Sequence, residues 1–357
     1  MKFLALLLIA AHAALAQNPR SWPAEAVAEN FDVRVLGEDK ATGATTCASP
    51  HFEMASDVKL PVSVVRDLAA VFEATRVAVR AMPLGLEVAP EPRSYRVMFF
   101  SNVGDYAAAG GASGSGDFFN GRIMLLLLPN PGIQKSTNGL TLAHQQHLFV
   151  LKHEVTHQIM APWSGYLPVW LREGLAECIA STPYVRGRYT FTGFDTAMRD
   201  YLLKWRKTKD QRSLRLIMPG PLMALSGQQW QQQVNALAAY DHYNSAALLT
   251  HWFLHHDGGG DAAGLAEYFG ALAGRRPPAD GVERYLLRGR TPERIEAEVA
   301  DPLPPARVAD RGAVSSDGFP IASHSERSGA ERSAVEESRR TTFRRDASAS
   351  LRMTRVF

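Results

Sequence analysis

Cysteine is scarce in this sequence. Only Cys47 and Cys178 occur among the 357 residues, so the chain cannot carry the disulfide framework of a small secreted domain. A metal site based on cysteine would need more ligands than these two thiolates. The sequence leaves open whether these two cysteines pair or stay free.

The chain also lacks a large excess of charge of one sign. Its net charge is +3, of which residues 301–357 contribute +2 from ten basic and eight acidic residues, leaving 29 basic against 28 acidic residues elsewhere. No basic stripe alternates with aromatic residues, so no nucleic-acid partner is expected. With 46% hydrophobic and 21% charged residues, the composition is that of a globular protein.

The longest apolar run lies at the N-terminus. Lys2 precedes a nearly continuous apolar stretch from Phe3 to Leu15, and Ala14-Leu15-Ala16 has the small-x-small pattern of a cleavage site. We therefore expect a signal peptide at residues 1–16 and a secreted or periplasmic protein. The run is short for a membrane span, so no stable membrane anchor is expected after cleavage.

Turn signals and apolar periodicity predict an α+β fold. A small α/β subdomain with a mixed sheet and an edge strand precedes a mainly helical subdomain, and the metal site is expected on helices at the cleft between them. The predicted boundaries are 17–45 for an irregular leader, 46–165 for the α/β subdomain ending in the metal-binding helix, 166–300 for the helical subdomain with the third ligand, and 301–357 for a disordered tail.

The α/β part contains alternating short elements. Strands are predicted at 51–54, 96–100 and 122–128, a helix at 61–82, and a mobile glycine-rich loop at 110–116. Further helices are predicted at 139–161, 168–181, 195–206, 242–256, 261–274 and 292–299. The strand at 122–128 is bracketed by Asn120-Gly121 and by Pro129-Asn130-Pro131-Gly132, and we expect an extended peptide to pair with it.

His153-Glu154-Val155-Thr156-His157 is a His-Glu-x-x-His motif. On a helix, positions i and i+4 share a face, so both imidazoles can reach one metal ion. Glu154 then points beside the metal, where a base acting on an activated water is needed. The motif predicts a zinc hydrolase with His153 and His157 as ligands and Glu154 as the general base.

The third ligand is expected on the next helix, which Pro168 can start. Glu173 and Glu177 are four residues apart on its predicted face, among mostly apolar or small neighbours. A buried carboxylate is costly unless it is paired or bound to a metal. Glu173 is therefore the predicted third ligand, and Glu177 is placed to accept a hydrogen bond from the far nitrogen of a ligand histidine.

Together, His153-Glu154-x-x-His157 and Trp170-Leu171-x-Glu173-Gly174-x-Ala176-Glu177 resemble the gluzincin peptidases, such as thermolysin and the alanyl aminopeptidases. The layout is closest to bacterial peptidase-MA-like domains of unknown function, and the resemblance covers about residues 50–300. It implies a zinc endopeptidase acting on peptides or proteins. The Gly-x-Met-Glu-Asn motif of the aminopeptidases is replaced by Gly116-Asp117-Phe118-Phe119-Asn120, which does not favour an aminopeptidase.

The resemblance also implies a group from the helical half that stabilises the oxyanion. It favours Tyr243, with Tyr240 and His242 as alternates. Two other functions stay open: an inactive binding or scaffold protein with the same fold, and a zinc hydrolase of a non-peptide amide such as a cell-wall fragment. The histidines predicted not to be ligands are His144, His147, His251, His255 and His256.

Overall fold

The computed structural model describes residues 22–86, 91–111, 116–127, 133–136, 139–142, 148–205, 215–234, 239–273 and 280–300. The predicted signal peptide and the predicted disordered tail lie outside these residues. So do His144, His147 and most of the predicted glycine-rich loop.

A six-stranded mixed sheet forms the first half of the fold. Its strands are β2 (Arg34–Glu38), β3 (Thr45–Ala48), β4 (Phe52–Ser56), β5 (Tyr95–Phe100), β6 (Gly116–Phe119) and β7 (Arg122–Leu126), in the spatial order β2-β3-β4-β5-β7-β6. β5 pairs in parallel with β4 and β7, and the remaining pairs are antiparallel. Short strands make two smaller sheets: β1 (Glu25–Val27) with β10 (Tyr184–Val185) and β11 (Arg188–Thr190), and β8 (Ile133–Ser136) with β9 (Gly139–Leu142).

Helices cover the sheet and make up the second half. They are α1 (Val62–Ala81), α2 (Val103–Ala108), α3 (Phe149–Ile159), α4 (Ala161–Ser164), α5 (Val169–Ser181), α6 (Phe194–Trp205), α7 (Pro219–Met223), α8 (Gly227–Gln233), α9 (Ala239–His255), α10 (Ala263–Ala273) and α11 (Pro292–Ala300). A 3₁₀ turn (Asp257–Gly259) and a π-helical turn (Val282–Leu287) complete the set. The α+β class with a mixed sheet, predicted from the sequence, is confirmed.

Alternating side chains of the central strands bury both faces of the sheet. On one face Phe99 packs against Phe72 of α1, with ring centroids 6.3 Å apart, and Phe52 packs against the same ring at 5.5 Å. On the other face Phe100 and Tyr106 form a smaller apolar cluster with Met124 and Leu126. Because successive residues of a strand point to opposite faces and both faces are covered, residues 97–100 of β5 and 123–126 of β7 are apolar throughout.

One apolar core runs through both predicted subdomains. Residues 46–165 and 166–300 contribute side chains to the same buried cluster, and the described residues all fall in one compact unit. Among the described residues, no helix combines the length and the apolar character needed to cross a membrane.

The prediction of an irregular leader at 17–45 is wrong where β1 and β2 form. The side chains of β2 are all exposed, so the sequence has no alternating apolar face there to indicate a strand. Its backbone nevertheless pairs with β3. A turn joins the two strands, in which Asp39 N–H donates to Ala44 O at 2.8 Å and Gly43 has a φ of 75°.

The helix predicted to start at residue 139 is also wrong at its beginning. Residues 139–142 form β9, which pairs antiparallel with β8, and the helix starts at Phe149. The apolar residues Leu140 and Leu142 occur at a spacing of two, which fits a strand. The pairing partner, and not local propensity, decides the structure of this short segment.

The strand predicted at 122–128 is present as β7, but it is not the edge of the sheet. Asn120 and Gly121 both have positive φ, 49° and 75°, as a tight two-residue hairpin requires. This turn folds β6 back beside β7, so β7 has partners on both sides and β6 takes the edge position. The expectation that a peptide pairs with residues 122–128 is therefore wrong.

Candidate metal centre

The two histidines of the motif lie side by side on α3. This helix buries Leu151, Val155 and Ile159 in the core, while His153 and His157 are only partly buried. Because residues four apart share a helix face, the two imidazoles meet, with their Nε2 atoms 2.9 Å apart. One helix thus presents two nitrogens to a single point.

A second helix, α5, brings carboxylates to the same point. It starts directly after Pro168 and buries Glu173 and Glu177. Glu173 Oε2 lies 3.2 Å from His157 Nε2 and 3.5 Å from His153 Nε2. Glu177 Oε1 lies 3.1 Å from the other nitrogen of the His153 ring, Nδ1.

These residues fit a metal ion. One ligand atom from each of His153, His157 and Glu173 lies within 4.8 Å of the other two. Two imidazole nitrogens that face each other at 2.9 Å can share only one proton, whereas a cation between them would satisfy both. Glu177, on the far nitrogen of His153, is the kind of carboxylate that orients a ligand imidazole. The structure therefore contains a histidine and glutamate group that can bind a metal.

Opposite charges stabilise the buried ionisable groups. Burial lowers the pKa of His153, but Glu177 and Glu173 outweigh this effect and raise the pKa well above its ordinary value. Burial raises the pKa of Glu173, but His157, His153 and Arg172 hold that pKa well below the usual range. Arg172 Nε donates to Glu173 Oε1 at 3.1 Å, and Glu173 Oε2 is the oxygen that faces the histidines. Glu173 is therefore ionised at neutral pH.

Glu154 lies on α3 between the two histidines and contacts the edge of the sheet. It is buried, and a Cβ added to Gly116 of β6 would lie 3.4 Å from Glu154 Cγ. Burial raises the pKa of Glu154, His153 and His157 oppose that rise, and Asp117 adds to it. A carboxyl group with a raised pKa is suited to accept and return a proton near neutral pH.

The structure separates the three residues considered for the oxyanion. Tyr243 packs edge-on to His153, with ring centroids 6.1 Å apart, and Trp230 packs edge-on to Tyr243 at 5.6 Å. His242 is buried and its Nε2 lies 2.7 Å from Gln233 Oε1, and Tyr240 is 49% exposed. Of the three, Tyr243 is the residue whose ring contacts a histidine of the motif.

The Tyr243 hydroxyl keeps its proton. Burial raises its pKa well above the ordinary value, and Glu173, Glu177 and Glu154 add to the rise. A protonated phenol next to the histidines can donate a hydrogen bond to an oxygen that gains negative charge.

Sequence reasoning missed several parts of this region. The packing of Trp230 on Tyr243 and the proximity of Asp117 to Glu154 depend on contacts between separate elements. The hydrogen bond from Arg172 to Glu173 joins neighbouring residues of one helix, α5. Cys47 and Cys178 are both buried and free. A second group of potential ligands consists of Asp195, His251 and His256, and its two histidines were predicted to be ordinary helix residues.

Comparisons of the chain with family models, with curated proteins and with solved structures gave no match. The resemblance to gluzincins therefore remains a prediction that rests on the two motifs. What the structure establishes is that these motifs meet in space and that His153, His157 and Glu173 can hold a metal ion.

Proposed function

We propose that this protein is an exported zinc metallopeptidase of the gluzincin type that cleaves peptides or proteins internally. The observation that carries the proposal is the convergence of His153, His157 and Glu173, with Glu154 beside them. Two imidazoles and one carboxylate are the donors of many hydrolytic zinc sites, which keep a fourth position open.

His153, His157 and Glu173 would hold the zinc ion, and Glu177 would orient His153. A zinc ion bound there supplies a Lewis acid that polarises a substrate carbonyl and lowers the pKa of a water molecule. Each ligand comes from a helix that is packed in the core, so the donor atoms are held in place before the metal binds.

Glu154 moves the proton in this scheme. Its raised pKa lets the carboxylate take a proton from the attacking water and pass it to the leaving amine. Tyr243 donates its hydroxyl proton in a hydrogen bond to the carbonyl oxygen of the substrate as negative charge develops there.

The edge strand β6 offers a binding surface for an extended peptide. In the six-stranded sheet β6 is the last strand, next to β7. Gly116 at the start of β6 lies close to Val150 and Glu154 of the motif helix. A peptide that added a strand along β6 would pass next to Glu154, and backbone hydrogen bonds would hold it without regard to most side chains.

The direct test measures zinc content and proteolysis of an unfolded protein substrate by the purified full chain. Glu154→Gln keeps the shape of the side chain and all three ligands, so we expect unchanged zinc content and a loss of about 100-fold or more in kcat. His157→Ala should lose the zinc ion of this centre and the activity with it. Proteolysis that is unchanged in Glu154→Gln would contradict the proposal, because a contaminating peptidase would then explain it.

A different conclusion follows if the protein binds zinc but shows no proteolysis. If the loaded wild type cleaves no protein or peptide substrate but hydrolyses a cell-wall amide, the substrate class proposed here is wrong. If it hydrolyses neither, the fold serves as a binding or scaffold protein.

A further inference from the structure

A second set of potential metal ligands lies where α6 begins and α9 ends. Asp195 is in the first turn of α6, His251 is in the last turns of α9, and His256 follows the last residue of that helix. The Nε2 atoms of His251 and His256 lie 2.9 and 2.8 Å from the same oxygen, Asp195 Oδ1. None of these residues belongs to α3 or α5, which carry the metal centre described above.

Aromatic stacking fixes the residues next to the ligands. The ring of His255 stacks on Phe194, with centroids 3.8 Å apart, and lies 4.9 Å from Trp22. Phe194 precedes Asp195 and His255 precedes His256, so the stack holds the start of α6 against the end of α9. His255 itself is not one of the three residues whose ligand atoms converge.

Burial is graded across the three ligands. The side chain of His251 is 6% exposed, that of His256 is 26% exposed and that of Asp195 is 54% exposed. A cavity of about 440 Å³ lies beside Asp195 and His256. An ion held on the inner side by His251 would therefore keep access to water on its outer side.

The donor atoms select a class of ion. Two imidazole nitrogens and one carboxylate oxygen suit divalent transition metals such as zinc, whereas magnesium and calcium prefer oxygen ligands throughout. One ligand atom from each residue lies within 4.8 Å of the other two. A cation would take the place of the two protons that His251 Nε2 and His256 Nε2 otherwise direct at one carboxylate oxygen.

We propose that Asp195, His251 and His256 form a second metal site, for a divalent transition ion of the zinc type. The ion would link the start of α6 to the end of α9 and keep coordination positions open towards the cavity. This site does not depend on the proposed peptidase activity.

The test counts zinc ions bound by the full chain. The protein is stripped with a chelator and dialysed against zinc, and the bound metal is measured per chain. We expect two ions in the wild type, one for each ligand group, and one ion in His256→Gln and in Asp195→Asn. In both variants the affinity for the second ion should fall by more than about tenfold.

The two substitutions separate metal binding from ordinary hydrogen bonding. Glutamine at position 256 keeps an N–H group that can donate to Asp195, and asparagine at position 195 keeps an oxygen that can accept from His251. The matched control is Asp200→Asn, which removes a carboxylate from the same helix, 64% exposed and paired with Arg199, and should still bind two ions. Urea unfolding in chelator checks that each variant folds.

The variant His157→Ala distinguishes this proposal from the proposed function. If the wild type binds one ion, which His157→Ala loses and His256→Gln keeps, the second site is overturned and the first stands. If His256→Gln loses an ion while His157→Ala loses none, the second site is supported and the zinc centre of the proposed peptidase is not.

Discussion

Gly174 lies where α5 packs against α9, next to the predicted ligand Glu173. A Cβ at this position would lie 2.1 Å from Thr250 Oγ1 and 2.4 Å from the carbonyl oxygen of Ala246. Rotation about χ1 can move the Thr250 hydroxyl, but Thr250 Cβ, 2.8 Å from the added carbon, and the Ala246 carbonyl move only with the whole helix. Gly174→Ala should therefore push the two helices apart.

The size of the effect follows from two opposing contributions. Alanine in place of glycine stabilises a helix interior by up to about 1 kcal/mol, whereas overpacking a core costs about 1–3 kcal/mol and occasionally more. Because the closest fixed atom is backbone, we expect an overpacking cost of about 3 kcal/mol, and after the gain in helix propensity a net loss of about 2 kcal/mol in the free energy of unfolding. At about 2–4 °C per kcal/mol for a large domain, the melting temperature should fall by about 4–8 °C.

A matched control is available in α10. Gly270 is exposed, and a Cβ there would meet no atom within 4 Å. Gly270→Ala should be neutral or stabilising by up to about 1 kcal/mol, because only helix propensity changes. Both variants are compared by urea unfolding in the presence of chelator, so that loss of metal makes no contribution.

A double variant tests the role of the backbone carbonyl. Adding Thr250→Ala to Gly174→Ala removes the hydroxyl clash but leaves the Ala246 oxygen in place, so only part of the lost stability should return. If Gly174→Ala is as stable as Gly270→Ala, the close packing of α5 on α9 is refuted, and with it the reason for a glycine beside Glu173.

Of three further predictions, two concern the candidate metal centre and one concerns the ion pairs of Glu91 with Arg76 and Arg80. Tyr243→Phe should keep the zinc content of the wild type and lower kcat by about 10- to 100-fold, since only the hydroxyl donor is removed; a kcat within twofold would exclude that role. Glu177→Gln should weaken zinc binding by about 10- to 100-fold, measured by competition with a chelator, because the carboxylate on His153 Nδ1 is lost. Burial raises the pKa of Glu91, but Arg76 and Arg80 outweigh this effect and lower that pKa. The ionised Glu91 therefore stabilises the fold at pH values above the ordinary carboxyl pKa, and this stabilisation is lost as the pH falls through the lowered pKa of the folded state. The difference in unfolding free energy between wild type and Glu91→Gln should therefore shrink in acid, and a difference independent of pH would contradict this assignment.

The sequence predicted the long helices well because each has a strong local signal. Pro61 and Pro168 mark the starts of α1 and α5, and the structure places both directly before the first helical residue. The motif spacing places His153 and His157 on one helix face whatever the rest of the fold does. These features depend on residues close in sequence, so a single chain is enough to identify them.

The strands were harder to predict because their partners are distant in sequence. β1 pairs with β11, which lies more than 150 residues later. The residues of β1, Glu25-Ala26-Val27, do not predict that pairing. The edge position of β6 depends on whether Asn120-Gly121 acts as a hairpin turn or only ends a strand. Asn120-Gly121 is compatible with a hairpin turn and with the end of a strand. Only the pairing of β6 with β7 in the sheet shows that it is a hairpin turn.

The orientation of α9 explains why the sequence could not choose between Tyr240, His242 and Tyr243. Tyr243 and Ala246 are three residues apart, and Thr250 is four residues further, so all three lie on one face of the helix. Gly174 of α5 meets that face at the Ala246 carbonyl and at Thr250, which turns Tyr243 towards His153. His242 precedes Tyr243 and is rotated by about 100° around the axis, so it faces Gln233 instead. The aromatic residue next to the candidate metal ligands is thus determined by the contact with Gly174, which lies on another helix, and the spacing of residues within α9 carries no information about that contact.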